Sequence, residues 1–189
     1  MFRRIIDQNP SDDGAGNGLL GNIQFSRDYF DSRPGNELAC TPDDDTPPDE
    51  AEMREFKTDH PKIILCEPIF TYGVIGRQGY PNAPGVTCDN IYPRISHRME
   101  TFGHNLLHEY THWDKLLVDI VQGPFDIPGI EDVEADNGAY GCWAVRQLDR
   151  PQSQRNADSY AWLATKVFWT QTCFGTHGPL QEPRKEDNA

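Results

Sequence analysis

Thr101-Phe102-Gly103-His104-Asn105-Leu106-Leu107-His108-Glu109-Tyr110-Thr111-His112-Trp113 lies at the centre of a longer pattern running from about Ser96 to Val121. Apolar residues fall at Met99, Phe102, Leu106, Leu107, Tyr110, Trp113, Leu116, Leu117 and Ile120. Those steps are mostly three and four, the period that gathers side chains into one helical stripe. The pattern predicts a single long helix, opened by Ser96 or Thr101 and stopped by Gly123-Pro124. Gly103 inside it costs helix stability and points to close packing.

On either side of this stretch the pattern changes. Residues 10–60 are punctuated by Gly and Pro, and the run from Thr41 to Glu50 is acidic and broken by prolines, so this part reads as loops. It lacks the spacing of a calcium-binding hand. Ile63-Ile64-Leu65-Cys66 is apolar and β-branched and reads as a short buried strand. Beyond the long helix a second helix is expected over about 138–149. A third is expected from Asn156-Ala157-Asp158, carrying Tyr160, Trp162, Leu163, Val167 and Phe168, with Asn156 or Asp158 as its cap. The polar tail, 179–189, reads as frayed.

The chain has 189 residues, which suits one domain. Seventeen Lys and Arg stand against thirty Asp and Glu, leaving a net charge of −13. Such a field repels phosphate backbones and anionic lipid, so neither nucleic acid nor a membrane is an expected partner. The N-terminus, Met1-Phe2-Arg3-Arg4-Ile5-Ile6-Asp7, is basic without an apolar stretch behind it and does not read as a signal peptide. The five cysteines are widely spaced and form no C-x-x-C pair, which argues against a thiolate metal site. We expect two disulfides and one thiol, the reading that suits an oxidising compartment, with five reduced thiols as its rival. The expected pairs are Cys66–Cys88 and Cys142–Cys173, although spacing does not fix connectivity.

His108-Glu109-Tyr110-Thr111-His112 carries the chemistry. Histidines four residues apart on a helix share a face, one turn above the other, and can converge on one Zn²⁺ at about 2.0–2.1 Å. Glu109 follows the first histidine and is placed to take a proton from the water that the ion activates. A catalytic zinc site needs a third protein ligand and one place left over. The second histidine is followed by Trp113-Asp114-Lys115-Leu116-Leu117, so the continuation that supplies a third histidine in other zinc peptidases is absent. The acidic stretch Glu131-Asp132-Val133-Glu134-Ala135-Asp136 offers carboxylates instead, with Asp132, Glu134 and Asp136 as candidates. His104, one turn before His108, is a supporting group, a stray ligand or, more often for such a residue, a histidine satisfied in the core or at the rim.

With these residues in place the sequence resembles the aspzincin zinc peptidases, the deuterolysin and fungal lysine-specific metallo-endopeptidase group. The resemblance rests on His108-Glu109-x-x-His112, the Asp residues before Ala139-Tyr140-Gly141, and Asn156-Ala157-Asp158-Ser159-Tyr160, and it covers about 60–180. It implies that His108, His112 and Asp132 bind the zinc ion, with Asp136 as the alternative ligand. Glu109 is then the general base, and Tyr140 hydrogen-bonds the developing oxyanion. The family pattern G-T-x-x-D-x-x-Y-G is not kept, because Asn137 occupies the Asp position and no Gly-Thr precedes it.

The expected fold is α+β: a single zincin-like domain with a long active-site helix, a small strand region and two further helices. The domain occupies 61–178, with 1–60 as a loop-rich part of it. The expected function is a secreted zinc endopeptidase, acting as a monomer on protein or peptide substrates. The alternative is a non-catalytic zinc-binding relative that serves as an effector or surface antigen.

Overall fold

A computed structural model describes residues 22–26, 40, 51–54, 57, 60–71, 85–91, 93–113, 116, 130–133 and 140–188. The described elements are mixed α and β. They divide into two compact units, one formed by residues 1–66 and 109–130 and the other by 67–108 and 131–189. Among the described residues no helix is long and apolar enough to cross a membrane.

The first unit contains a three-stranded sheet ordered β1-β3-β2, from β1 (Gln24–Ser26), β2 (Ala51–Arg54) and β3 (Lys62–Leu65). The expected apolar strand is the central one. Ile63 and Ile64 point to opposite faces of the sheet and are both buried, so both faces are covered at this strand. β1 pairs with β3 in parallel and β2 pairs with it antiparallel. A disulfide joins Cys40 to Cys66 directly after β3. Cys40 has a positive φ of 71°. In the same unit Trp113 and Leu116 are fully buried, and Phe25 meets the Tyr110 ring edge-on.

The second unit is helical. Its main elements are α1 (Cys88–Ile91), α2 (Phe102–Thr111) as far as His108, α3 (Arg150–Arg155) and α4 (Ala157–His177); the last turn of α2, from Glu109, belongs to the first unit. Val86, Ile91, Ile95, Met99, Cys142, Trp162, Trp169 and Cys173 form its core, and Leu180 packs against them. The second disulfide, Cys88–Cys173, joins α1 to α4 through this core. The pairing therefore differs from the expected one. Cys142 keeps its thiol, and the bonds join cysteines 26 and 85 residues apart. Chain separation is a poor guide here because α4 brings a distant cysteine onto α1.

Three helical expectations also change. The helix expected to run unbroken from Ser96 is interrupted: the described residues hold α2, a break at His112 and Trp113, helix again at Leu116, and a separate 3-10 turn at His97–Met99 before α2. Residues 117–121 lie outside the described residues. Gly103 is exposed, and a Cβ there would meet only Thr101 Oγ1 at 3.8 Å, so close packing does not require it. Where a helix was expected over 138–149, the described part holds only a 3-10 turn at Ala144–Arg146. The helix begins later because Asp149 and Gln152 form a reciprocal capping box and Pro151 sits in its first turn. The last helix starts as expected. Its buried face is Ala161, Trp162, Thr165, Trp169 and Cys173, and Leu163, Val167 and Phe168 are exposed. The tail is docked rather than frayed. Gln181 pairs with Arg94 through the backbone, and Glu182 receives Arg146 and Lys166.

Candidate metal centre

α2 ends at Thr111, and the next residue closes a tighter turn in which the His112 N–H donates to Glu109 O at 3.1 Å. His108 and His112 are thus one turn apart, as their spacing requires. Glu109 is buried between them in sequence. The ligand atoms of His108, His112 and Asp132 all lie within 4.8 Å of one another. Two ligands at about 2.0–2.1 Å from one tetrahedral ion are roughly 3.3 Å apart. His108 Nε2 and Asp132 Oδ1 are 3.0 Å apart, close to that separation. Two imidazoles and one carboxylate make a donor set suited to a divalent ion of borderline hardness, with three ligands supplied by the chain.

Each ring has its second nitrogen committed. His112 Nδ1 lies 3.1 Å from the Ile130 carbonyl, which can only accept, so Nδ1 carries the proton and Nε2 the lone pair. His108 Nδ1 lies 3.5 Å from Asp158 Oδ1. A carboxylate behind a ligating imidazole fixes its tautomer and raises its basicity. Asp158 is buried, and its other oxygen accepts the Gly141 N–H at 2.8 Å. Burial opposes its ionisation, but the imidazoles of His104 and His108 overcome that and hold its carboxyl well below the usual carboxylate range.

The remaining sequence candidates separate clearly. His104 is a buried, satisfied histidine: Nδ1 meets Thr165 Oγ1 at 2.8 Å, Nε2 lies 3.8 Å from Asp158, and Trp162 meets the ring edge-on. Tyr140 is 45% exposed, so its ring does not fill the core. Its neighbour Gly141 is the residue that Asp158 holds. Asp136 and Glu134 lie outside the described residues.

No family model, curated protein or solved structure matches this chain.

Sequence reasoning missed Asn156. It was named only as one of two candidate caps for α4, with Asp158 as the other; its Oδ1 accepts the Val133 N–H at 3.0 Å and its Nδ2 donates to Ser159 Oγ at 3.1 Å. A buried Asn is expected to have such partners. What the sequence lacked was any sign that they would come from residue 133, on another segment.

Proposed function

We propose that this protein is a zinc-dependent endopeptidase of the aspzincin type, exported to an oxidising compartment. The observation that carries the reading is the convergence of His108, His112 and Asp132, with Glu109 on the same helix. Three protein ligands match the composition of a catalytic zinc site, whereas a structural site closes itself with four. A bound zinc ion supplies a Lewis acid and lowers the pKa of water in contact with it toward about 7.

The chain's own residues supply the rest. His108 and His112 bind through imidazole, and Asp132 adds a negative charge that favours a cation. Glu109, held on the helix beside the first ligand, accepts a proton from water and returns it to the leaving amine. Tyr140, exposed and next to Gly141, would donate its phenolic O–H to a developing oxyanion. The two disulfides support the exported setting, since such bonds persist where glutathione does not reduce them.

Glu109→Gln separates an enzyme from a zinc-binding relative without turnover. Zinc content should stay near one equivalent while peptide hydrolysis falls at least about a hundredfold, the scale for a lost general base. Unchanged hydrolysis would place the base elsewhere. A wild-type protein that binds zinc but cleaves no member of a diverse peptide library would favour the non-catalytic alternative.

A further inference from the structure

Resting on that metal-binding reading, we propose that Asn156 and Asp158, two residues apart at the start of α4, are positioning residues for two of the three ligands. Asp158 orients the ring of His108, and Asn156 fixes the segment that carries Asp132.

The Asp132 side is held by an isolated parallel bridge between Glu131 and Asn156. The Glu131 N–H donates to Arg155 O at 2.8 Å, and the Ala157 N–H donates to Glu131 O at 2.9 Å. On the other flank of Asp132 the Val133 N–H donates to Asn156 Oδ1. Asp132 is therefore held on both sides by residues 155–157, although its own carboxylate is exposed. The amide of Asn156 is 1% exposed and cannot turn to water without breaking its bonds to Val133 and Ser159. An exposed ligand on a loop loses conformational freedom when it binds an ion, and this clamp removes part of that freedom beforehand.

The His108 side is a relay. Asp158 Oδ1 faces His108 Nδ1, and the opposite edge of the ring, Nε2, faces Asp132. The other oxygen of Asp158 is fixed by Gly141, so the carboxylate cannot swing away from the ring without losing that bond. One helix start thus sets both the imidazole and the carboxylate, and places them 3.0 Å apart.

The test uses the full-length chain and three readouts: Zn²⁺ affinity by competition with a fluorescent chelator, the visible absorption of the Co²⁺-loaded protein, and melting of the metal-free protein. Asp158→Asn and Asn156→Ala should each weaken Zn²⁺ by about 10–100-fold, the range for groups behind a metal ligand. They should also alter the Co²⁺ bands, which report coordination, while the metal-free melting temperature moves by only a few degrees. Should Asn156→Ala fail to fold, Ser159→Ala removes one anchor of the same amide. A several-fold loss of affinity then supports the proposal and unchanged affinity overturns it. Wild-type affinity and wild-type Co²⁺ bands in both main variants would overturn the proposal while leaving the metal centre intact, provided that Asp132→Ala abolishes tight binding. Equal, weak affinity in wild type and Asp132→Ala would instead remove the metal centre itself, and the proposal with it.

Discussion

Each imidazole of the motif has two nitrogens to place, and the structure gives every Nδ1 an oxygen to face: Ile130 O for His112 and Asp158 for His108. The pairing of the two histidines was legible from spacing alone, because four residues is one helical turn. The oxygens behind them were not, since they come from segments that no local pattern links to α2. Cys142 is a second residue whose state is set by its surroundings. Burial, reinforced by the nearby carboxylates of Glu100 and Asp187, pushes its thiol up to about 12. At neutral pH the thiol is therefore protonated and shielded. We predict that a thiol reagent at pH 8 labels no cysteine rapidly in the native protein and labels one after unfolding in denaturant without reductant. The sign of the pH effect follows from the raised value. Below the ordinary thiol pKa of about 8.5 the thiol is protonated in both states and contributes no pH dependence. Between there and about 12 the unfolded chain ionises first, so stability falls as pH rises. Urea midpoints at pH 8 and 10, compared between wild type and Cys142→Ala, check this; an equal drop in both proteins would contradict it.

At the scale of elements, apolar period gave β3 and α4 their places, and capping chemistry decided what period could not. Asp149-Arg150-Pro151-Gln152 holds a capping box, which is why α3 starts at Arg150 and not within 138–149. α4 was legible as a helix, yet its buried face was not. Leu163, Val167 and Phe168 are exposed, while Thr165 and Asp158 are buried where His104 and His108 meet them. A hydrophobic count cannot foresee a helix that turns polar residues inward to serve two histidines. The C-terminal segment shows the same limit, because its polar composition hid the fact that Leu180 packs on the core. Ending the chain at Gly178 should cost about 1–3 kcal/mol, mostly from Leu180. The ion pairs of Glu182 with Arg146 and Lys166 are exposed and contribute little. Guanidinium unfolding of the shortened chain checks this, and an unchanged midpoint would mean that the tail is not held in solution.

Over the whole molecule, two disulfides join segments that lie 26 and 85 residues apart in the chain. The number of disulfides was legible from the cysteine count, but their connectivity was not. The Cys88–Cys173 bond closes a separation of 85 residues, for which chain entropy gives about 4–5 kcal/mol. Replacing both cysteines by Ser should lower stability by about 2–5 kcal/mol, read by thermal or denaturant melting; a loss under 1 kcal/mol would show that helix packing alone holds the second unit. The central claim is that His108, His112 and Asp132 together grip a single ion. Diffraction from zinc-grown crystals, recorded on both sides of the zinc absorption edge, tests it most directly. The account predicts one strong anomalous peak at about 2.0–2.2 Å from both imidazoles and the Asp132 carboxylate. A map without a peak there, or with a peak bound to the histidines while Asp132 stands apart, would contradict it.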